Sequence, residues 1–187
     1  MQKRAFDLVI ALIAIIILAI PCLFLCWIIK LNSKGPAIHW SKRVGLHNGF
    51  FMMPKFRSMH LDTPLLETAK LPNPRASLTD VGLFIRRTSI DEIPQLISVL
   101  RGEMSIVGPR PALYSQLDLI ARRKELGIDS LRPGITGWAQ INGRDNISLD
   151  EKIRLDLEYK NCQSFSFDLK IIILTVWSVI SSDGVSH

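Results

Sequence analysis

Residues 8–29 carry no charge, and the run LVIALIAIIILAIPCLFLCWII is apolar all round rather than on one face. After Pro36 the pattern shortens. Residues 37–44 and 50–56 read as two strands joined through GLHNG, in which Asn-Gly is a strong hairpin signal. Pro54 confines the second strand to an edge or an early end. Residues 63–78, with Pro64, Pro72 and Pro74, read as an irregular connection and a candidate lid. Ile93, Leu96, Ile97 and Leu100 then follow helical spacing, with Gly102 as the stop. Residues 104–113 form a short apolar run that ends in a stiff turn, Arg110 lying between Pro109 and Pro111. Helices are predicted over 112–126 (stopping at Gly127), 149–161 and 165–180. The acids of 149–161 are expected mostly on a solvated face. The apolar 165–180 is expected as buried core in preference to an interfacial helix anchored by Trp177. The fold class is α+β and mainly helical, with a small β-hairpin and several amphipathic or interfacial helices.

The N-terminal run would reach about 33 Å as a straight helix, enough to cross a bilayer. Lys3 and Arg4 precede it as in a signal peptide, but no small-residue cleavage site follows, and Pro21 before Cys22 does not suit lipoprotein processing. A retained membrane segment remains. Pro21, near its middle, removes a backbone hydrogen bond from the Ile17 carbonyl and favours a bend. Basic residues flank both ends, Lys3 and Arg4 before and Lys30, Lys34, Lys42 and Arg43 after. A kinked spanning helix fits the length, yet it would put one basic group on the wrong side. A re-entrant helix-break-helix with its bend at Ile20 and Pro21 satisfies both flanks. The chain thus divides into a membrane-embedded part, 1–32, and a second domain, 33–187.

Charge changes the picture further. Against 17 acidic residues stand 23 basic ones, which favours an anionic partner. Three scattered cysteines build no disulfide framework, and the four histidines match no zinc spacing. The Walker loop, the G-x-S-x-G elbow and the G-x-G-x-x-G fingerprint are absent. Basic residues recur instead, most of them near Gly or Pro: Lys55, Arg57, Arg86, Arg87, Arg110, Arg132 and Arg144. Arginine suits bidentate phosphate recognition, and the glycines of 131–145 would let backbone N–H groups approach an anion. Among these cations lies a carboxylate pair, Asp91-Glu92. Its structural reading is a helix start, either a capping box of Ser89 with Glu92 or, because Pro94 disturbs that register, a cap at Asp91. The company of the arginines points instead to phosphoryl transfer.

The set KFRSM (55–59), RRTSIDEIPQL (86–96), GPRP (108–111), RPGITGWAQ (132–140), NGR (142–144) and DLK (168–170), behind an apolar N-terminus with a central proline, resembles the bacterial monotopic phosphoglycosyl transferases over nearly the whole chain. The resemblance implies transfer of a sugar-1-phosphate from a nucleoside diphosphate sugar, with UDP the expected carrier, to polyprenyl (undecaprenyl) phosphate. It implies Asp91 as the nucleophile of a covalent aspartyl-phosphosugar intermediate and Glu92 as a Mg²⁺ ligand. Lys55, Arg86, Arg110 and Arg144 are the implied phosphate ligands, with Arg87, Arg132 and Asp168 as further candidates. A helix start at Asp91 would add backbone donors toward the phosphate. The family's setting implies the bacterial inner membrane with the catalytic domain, 33–187, on the cytoplasmic face. Ile20 stands where relatives often have serine before the proline, and the chain reads as the minimal form, without an additional N-terminal spanning domain. The rival readings are a membrane-tethered nucleic-acid binder, for which the arginines are too dispersed to make a stripe, and a non-catalytic adaptor. No nucleic-acid partner is expected, and the sequence is silent on oligomeric state.

Overall fold

A computed structural model describes residues 2–63, 75–143 and 147–181. The N-terminal run forms one helix, α1 (Gln2–Asn32), which stays helical through Pro21. The break expected at Ile20-Pro21 is therefore not an interruption of secondary structure. One side of α1 packs on the rest of the chain through Asp7, Ala11, Ala14, Ile15, Cys22, Leu25, Cys26 and Ile29, at three- and four-residue spacing. Its other side leaves Ile13, Ile16, Ile17, Ile20, Leu23, Phe24, Trp27 and Leu31 exposed, Ile20 by 79%. Both ends of the helix are tied to the same body. At the start, Lys3 pairs with Asp168 at 2.6 Å and Arg4 donates to the carbonyls of Val99 and Leu100. Past the other end, the buried Arg57 donates to the carbonyls of Ser33 and Lys34 at 2.7 and 2.6 Å. Arg57 is thus a clamp on the end of α1.

The hairpin forms as predicted. β1 (Ile38–Val44) and β2 (Phe50–Phe56) pair antiparallel, with His39 opposite Lys55 and Trp40 opposite Pro54. The turn differs in detail from the Asn-Gly expectation: His47 and Asn48 take the left-handed conformation (φ 50° and 59°), while Gly49 does not. Phe51 and Met53 enter the main core with Ala11, Leu96, Val99, Met104, Val107, Tyr159 and Ile171; Phe56 joins Ile29, Ala37 and Ile85 in a second cluster. Next come α2 (Asp80–Arg87), capped by Thr79, a 3₁₀ segment Ile90–Gln95, and α3 (Leu96–Arg101), which ends at left-handed Gly102 (φ 83°) as expected.

The apolar run at 104–113 contributes β3 (Ser105–Val107), which pairs in parallel with β4 (Gly134–Thr136). The glycines at this crossing serve close backbone packing. A side chain at Gly108, Gly134 or Gly137 would collide with main-chain atoms of the facing segment, so the glycines expected to approach an anion instead let two chain segments touch. α4 (Leu117–Glu125) starts later than predicted, because Gln116 turns its side-chain oxygen back to the Leu113 N–H and the chain is still turning at 113–116. α5 (Trp138–Ile141), α6 (Leu149–Cys162) and α7 (Phe165–Ile180) complete the fold. α7 is not the buried core helix expected: Ile171 and Asp168 are buried, but Phe165, Ile173, Val176 and Trp177 are exposed. Its first turn abuts α1 through an edge-on Phe6–Phe165 contact.

Buried acids join α1 to the body. Asp7 accepts from the Ser105 hydroxyl at 2.8 Å and the Ile106 N–H at 3.1 Å. Asp168 accepts from Lys3 and, at 2.7 Å, from the buried Tyr159 hydroxyl. Burial, together with the Asp168 charge, drives the tyrosine pKa well up, so Tyr159 stays a donor. Asp168→Ala would remove the close partner of Lys3 and one of the two acceptors of the Tyr159 hydroxyl, and a loss of about 1–3 kcal/mol is expected for partly buried partners of this kind. Thermal unfolding of the protein in detergent would read this. An unchanged transition midpoint would show that Asp168 does not hold α1.

Candidate active site

Three segments converge on the carboxylate pair. β2 carries Lys55 out at its end. The 3₁₀ segment carries Asp91 and Glu92, and the Pro-Arg-Pro turn after β3 carries Arg110. No capping box forms: Ser89 takes φ 56°, ψ 16°, and its side chain caps nothing. A left-handed serine is costly by about 1–2 kcal/mol relative to ordinary backbone, and it reverses the chain sharply between α2 and the carboxylates. Pro94 cannot donate within a helix, so the segment runs as 3₁₀ before α3 begins. The acids are thereby free of capping duty.

Glu92 Oε1 accepts from Lys55 Nζ at 2.7 Å and from Arg110 Nη1 at 3.1 Å. Lys55 Nζ also lies 3.7 Å from Asp91 Oδ2. Asp91 is the floor of the site, 6% exposed. Arg86, at the end of α2, adds a third positive charge that acts on Asp91. Arg110 is itself held from behind: Arg123 donates to the Arg110 carbonyl at 2.8 Å and grips Asp156 Oδ2 through two nitrogens at 3.0 and 2.6 Å.

Arg123 and Asp156 went unnoticed in the sequence, and Asp156 is the buried exception to the mostly solvated acids of α6. A signal existed. Asp156 falls between Ile153 and Tyr159 on the buried stripe of α6, and Arg123 follows Leu119 by four on α4, so both occupy core positions. Other candidates do not gather here. Arg87 is exposed at the end of α2. Arg132 donates to the Gly102 carbonyl, beyond the far end of α3 from the carboxylates. Asp168 belongs to the anchor of α1 described above, and Arg57 to its other end. Arg144 lies outside the described residues, as does most of the candidate lid.

A family model described as bacterial sugar transferase matches residues 1–182. The chain belongs to the bacterial sugar transferases. It is 42% identical to the uncharacterized sugar transferase EpsL of Bacillus subtilis over 99% of this chain and 90% of that protein. It is 39% identical to the UDP-glucose:undecaprenyl-phosphate glucose-1-phosphate transferase of Escherichia coli over 94% of this chain but only 39% of that one. It is 42% identical to the undecaprenyl-phosphate glucose phosphotransferase of Komagataeibacter xylinus, with 94% and 35% covered. The sugar transferase thus spans nearly all of one relative and less than half of two longer ones.

In this sugar transferase the two carboxylates are driven apart electrostatically. Burial would push both up. For Glu92 the ammonium of Lys55 and the guanidinium of Arg110 prevail and hold its pKa at about 2. For Asp91 burial prevails, aided by the charge of Glu92, and its pKa lies above the usual carboxylate value despite Lys55, Arg86 and Arg110. Among the described residues three cations act on the two acids, an arrangement that suits an anionic substrate. No group of three or more His, Cys, Asp or Glu side chains is placed to hold a metal among the described residues. The pair offers hard oxygens for an ion completed by phosphate and water, which suits Mg²⁺, rather than a cage made by the protein alone.

The signs of these shifts are opposite. The stability that Glu92 contributes is complete above its ordinary value near 4.5 and is lost as the pH falls through about 2. Asp91, raised, favours the folded state below its ordinary value and ceases to do so as the pH rises through its own pKa. Lys55→Met is expected to raise both carboxyl pKa values, so the acid-side loss of stability begins at a higher pH. Denaturation midpoints measured from pH 2 to 7 check this, and superimposable wild-type and variant curves would remove Lys55 from the pair.

Proposed function

We propose that this enzyme transfers a sugar-1-phosphate from a nucleoside diphosphate sugar, with UDP as the carrier, to polyprenyl phosphate through an aspartyl-phosphosugar intermediate. The observation that carries this reading is Asp91, nearly buried beneath Lys55, Arg86 and Arg110 yet adjacent to a fully ionised Glu92. A carboxylate so placed can meet phosphorus while cations hold the phosphate oxygens, and covalent capture splits one anion-to-anion transfer into two steps. The activities for which these relatives are named, which join undecaprenyl phosphate to glucose-1-phosphate transfer, support donor and acceptor class.

In the first step an Asp91 oxygen bonds to the sugar-bearing phosphorus. The bond to the bridging oxygen breaks, and its electron pair leaves with the nucleoside monophosphate. In the second step an oxygen of the lipid phosphate bonds to the same phosphorus and Asp91 is released. Substrate phosphates bring charge that favours the neutral form of Asp91 still more. Lys55, Arg86 and Arg110 counter it, and Arg144 remains a further candidate from the sequence motif. Mg²⁺ held by Glu92 and diphosphate oxygens would supply charge neutralisation at the transferred group.

The membrane reading is re-entrant: α1 enters and returns on one face, presenting the catalytic body to lipid headgroups on the cytoplasmic side of the inner membrane. It is supported by the attachment of both ends of α1 to one body, through Lys3–Asp168 and Arg57. At about 46 Å for 31 residues, a straight spanning helix would hold those ends on opposite sides of a hydrocarbon layer about 30 Å thick. Most of the exposed side chains of α1 and α7 are apolar and suit lipid.

Asp91→Asn is expected to reduce release of nucleoside monophosphate from nucleotide sugars by at least about 10³-fold with the fold intact, the scale of losing a nucleophile. Near-normal release would end the proposal. Excess chelator is expected to abolish turnover and added Mg²⁺ to restore it; full activity in chelator would exclude a metal-assisted step. Cysteines placed singly at Gln2 and Ser33 are expected to react with an impermeant reagent from the same side of sealed vesicles, and reaction from opposite sides would mean a spanning helix.

A further inference from the structure

The mechanism above leaves one face of β1 unused. His39, Ser41 and Arg43 alternate onto the same side of the hairpin, opposite Lys55, Met53 and Phe51. That is the side that delivers Lys55 to the carboxylates. Arg43 donates through Nε to Ser41 Oγ at 3.2 Å and through Nη1 to the Pro111 carbonyl at 3.3 Å, the residue after Arg110. The strip therefore runs along the rim from Lys55 to the turn that bears Arg110. His39 is exposed, whereas Asp91 on the floor is not. Partial burial, then Arg43, then Lys55 lower the pKa of the imidazole, which places both cations in its surroundings.

Depth decides what such a strip would meet. In phosphoryl transfer the attacking and leaving oxygens lie roughly in line across phosphorus. With the nucleophile on the floor, the leaving phosphate exits toward the rim. The incoming lipid phosphate must attack along that same line to expel Asp91. Both groups are phosphate monoesters carried on an organic chain, so one set of donors serves both.

We propose that His39, Ser41 and Arg43 form a rim subsite for a phosphate monoester, occupied first by the departing nucleoside monophosphate and then by the lipid phosphate. The inference rests on the transferase reading for the order of occupancy. Binding of the nucleotide to the rim is separable from turnover. No new bond is made there: the subsite receives the oxygen that carries the electron pair in the first step and aligns the attacking oxygen in the second.

The test uses the full chain in nanodiscs with His39→Ala and Ser41→Ala. Arg43 is spared because it also holds the Pro111 carbonyl. Calorimetric titration with uridine monophosphate reads the subsite directly, and steady-state assays give the KM for polyprenyl phosphate and the inhibition constant of the nucleotide. Both constants are expected to rise together, about tenfold for His39→Ala as for loss of one charge-assisted hydrogen bond, with thermal midpoints unchanged. A variant that binds uridine monophosphate as the wild type does would overturn the subsite, as would a rise in only one of the two constants. If the wild type binds the nucleotide through His39 but turns over no nucleotide sugar, the rim subsite stands and the transferase reading falls.

Discussion

One carboxylate oxygen, Oε1 of Glu92, accepts from both Lys55 and Arg110, and through it three remote segments are drawn to one point. Without those donors an ionised glutamate at this depth would be unfavourable; without the glutamate, two cations and Arg86 would repel one another around Asp91. The arrangement keeps Glu92 ionised while burial holds Asp91 nearer to neutrality. Two adjacent acids thus acquire different properties from their surroundings alone. The cost of assembling them is met in the backbone, by a left-handed Ser89 and a 3₁₀ segment in place of a regular helix start.

Rigidity behind the site comes from contacts that touch no substrate. Arg123 fixes the carbonyl of Arg110 and is itself gripped by buried Asp156. The crossing of 108 with 134 and 137 is so close that only glycine fits. β3, the strand leading into the Arg110 turn, is held on one side by Asp7 of α1 and on the other by Tyr159, whose hydroxyl also approaches the Val107 carbonyl at 3.1 Å. The apolar N-terminal helix is therefore part of the scaffold that aims a phosphate-binding arginine, in addition to offering an apolar surface. Its exposed side and that of α7 meet at Phe6 and Phe165, so the apolar surface lies next to the tethered start of α1.

Much was written in the chain itself. Alternation and a turn signal were enough for the hairpin, because a strand pair of seven residues is specified by local pattern and loop length. The apolar run required a long helix, Gly102 and Gly127 ended helices through their left-handed geometry, and the motif set identified the family and its carboxylate pair. These features depend on neighbours in sequence, or on residue types with few alternative uses.

What only tertiary structure decided was the partnership of each charge. Arg57, Arg132 and Asp168 look in sequence like Arg110 or Glu92, but a guanidinium satisfies a helix-end carbonyl as readily as a phosphate, and which it meets depends on packing over scores of residues. Asp7, Arg123 and Asp156 became anchors because helix packing placed them inside, where an acid or base must find a partner. The two sides of α1 and the exposed surface of α7 were likewise undetermined: a helix apolar all round does not say which side meets protein, and only the position of the remaining chain chooses.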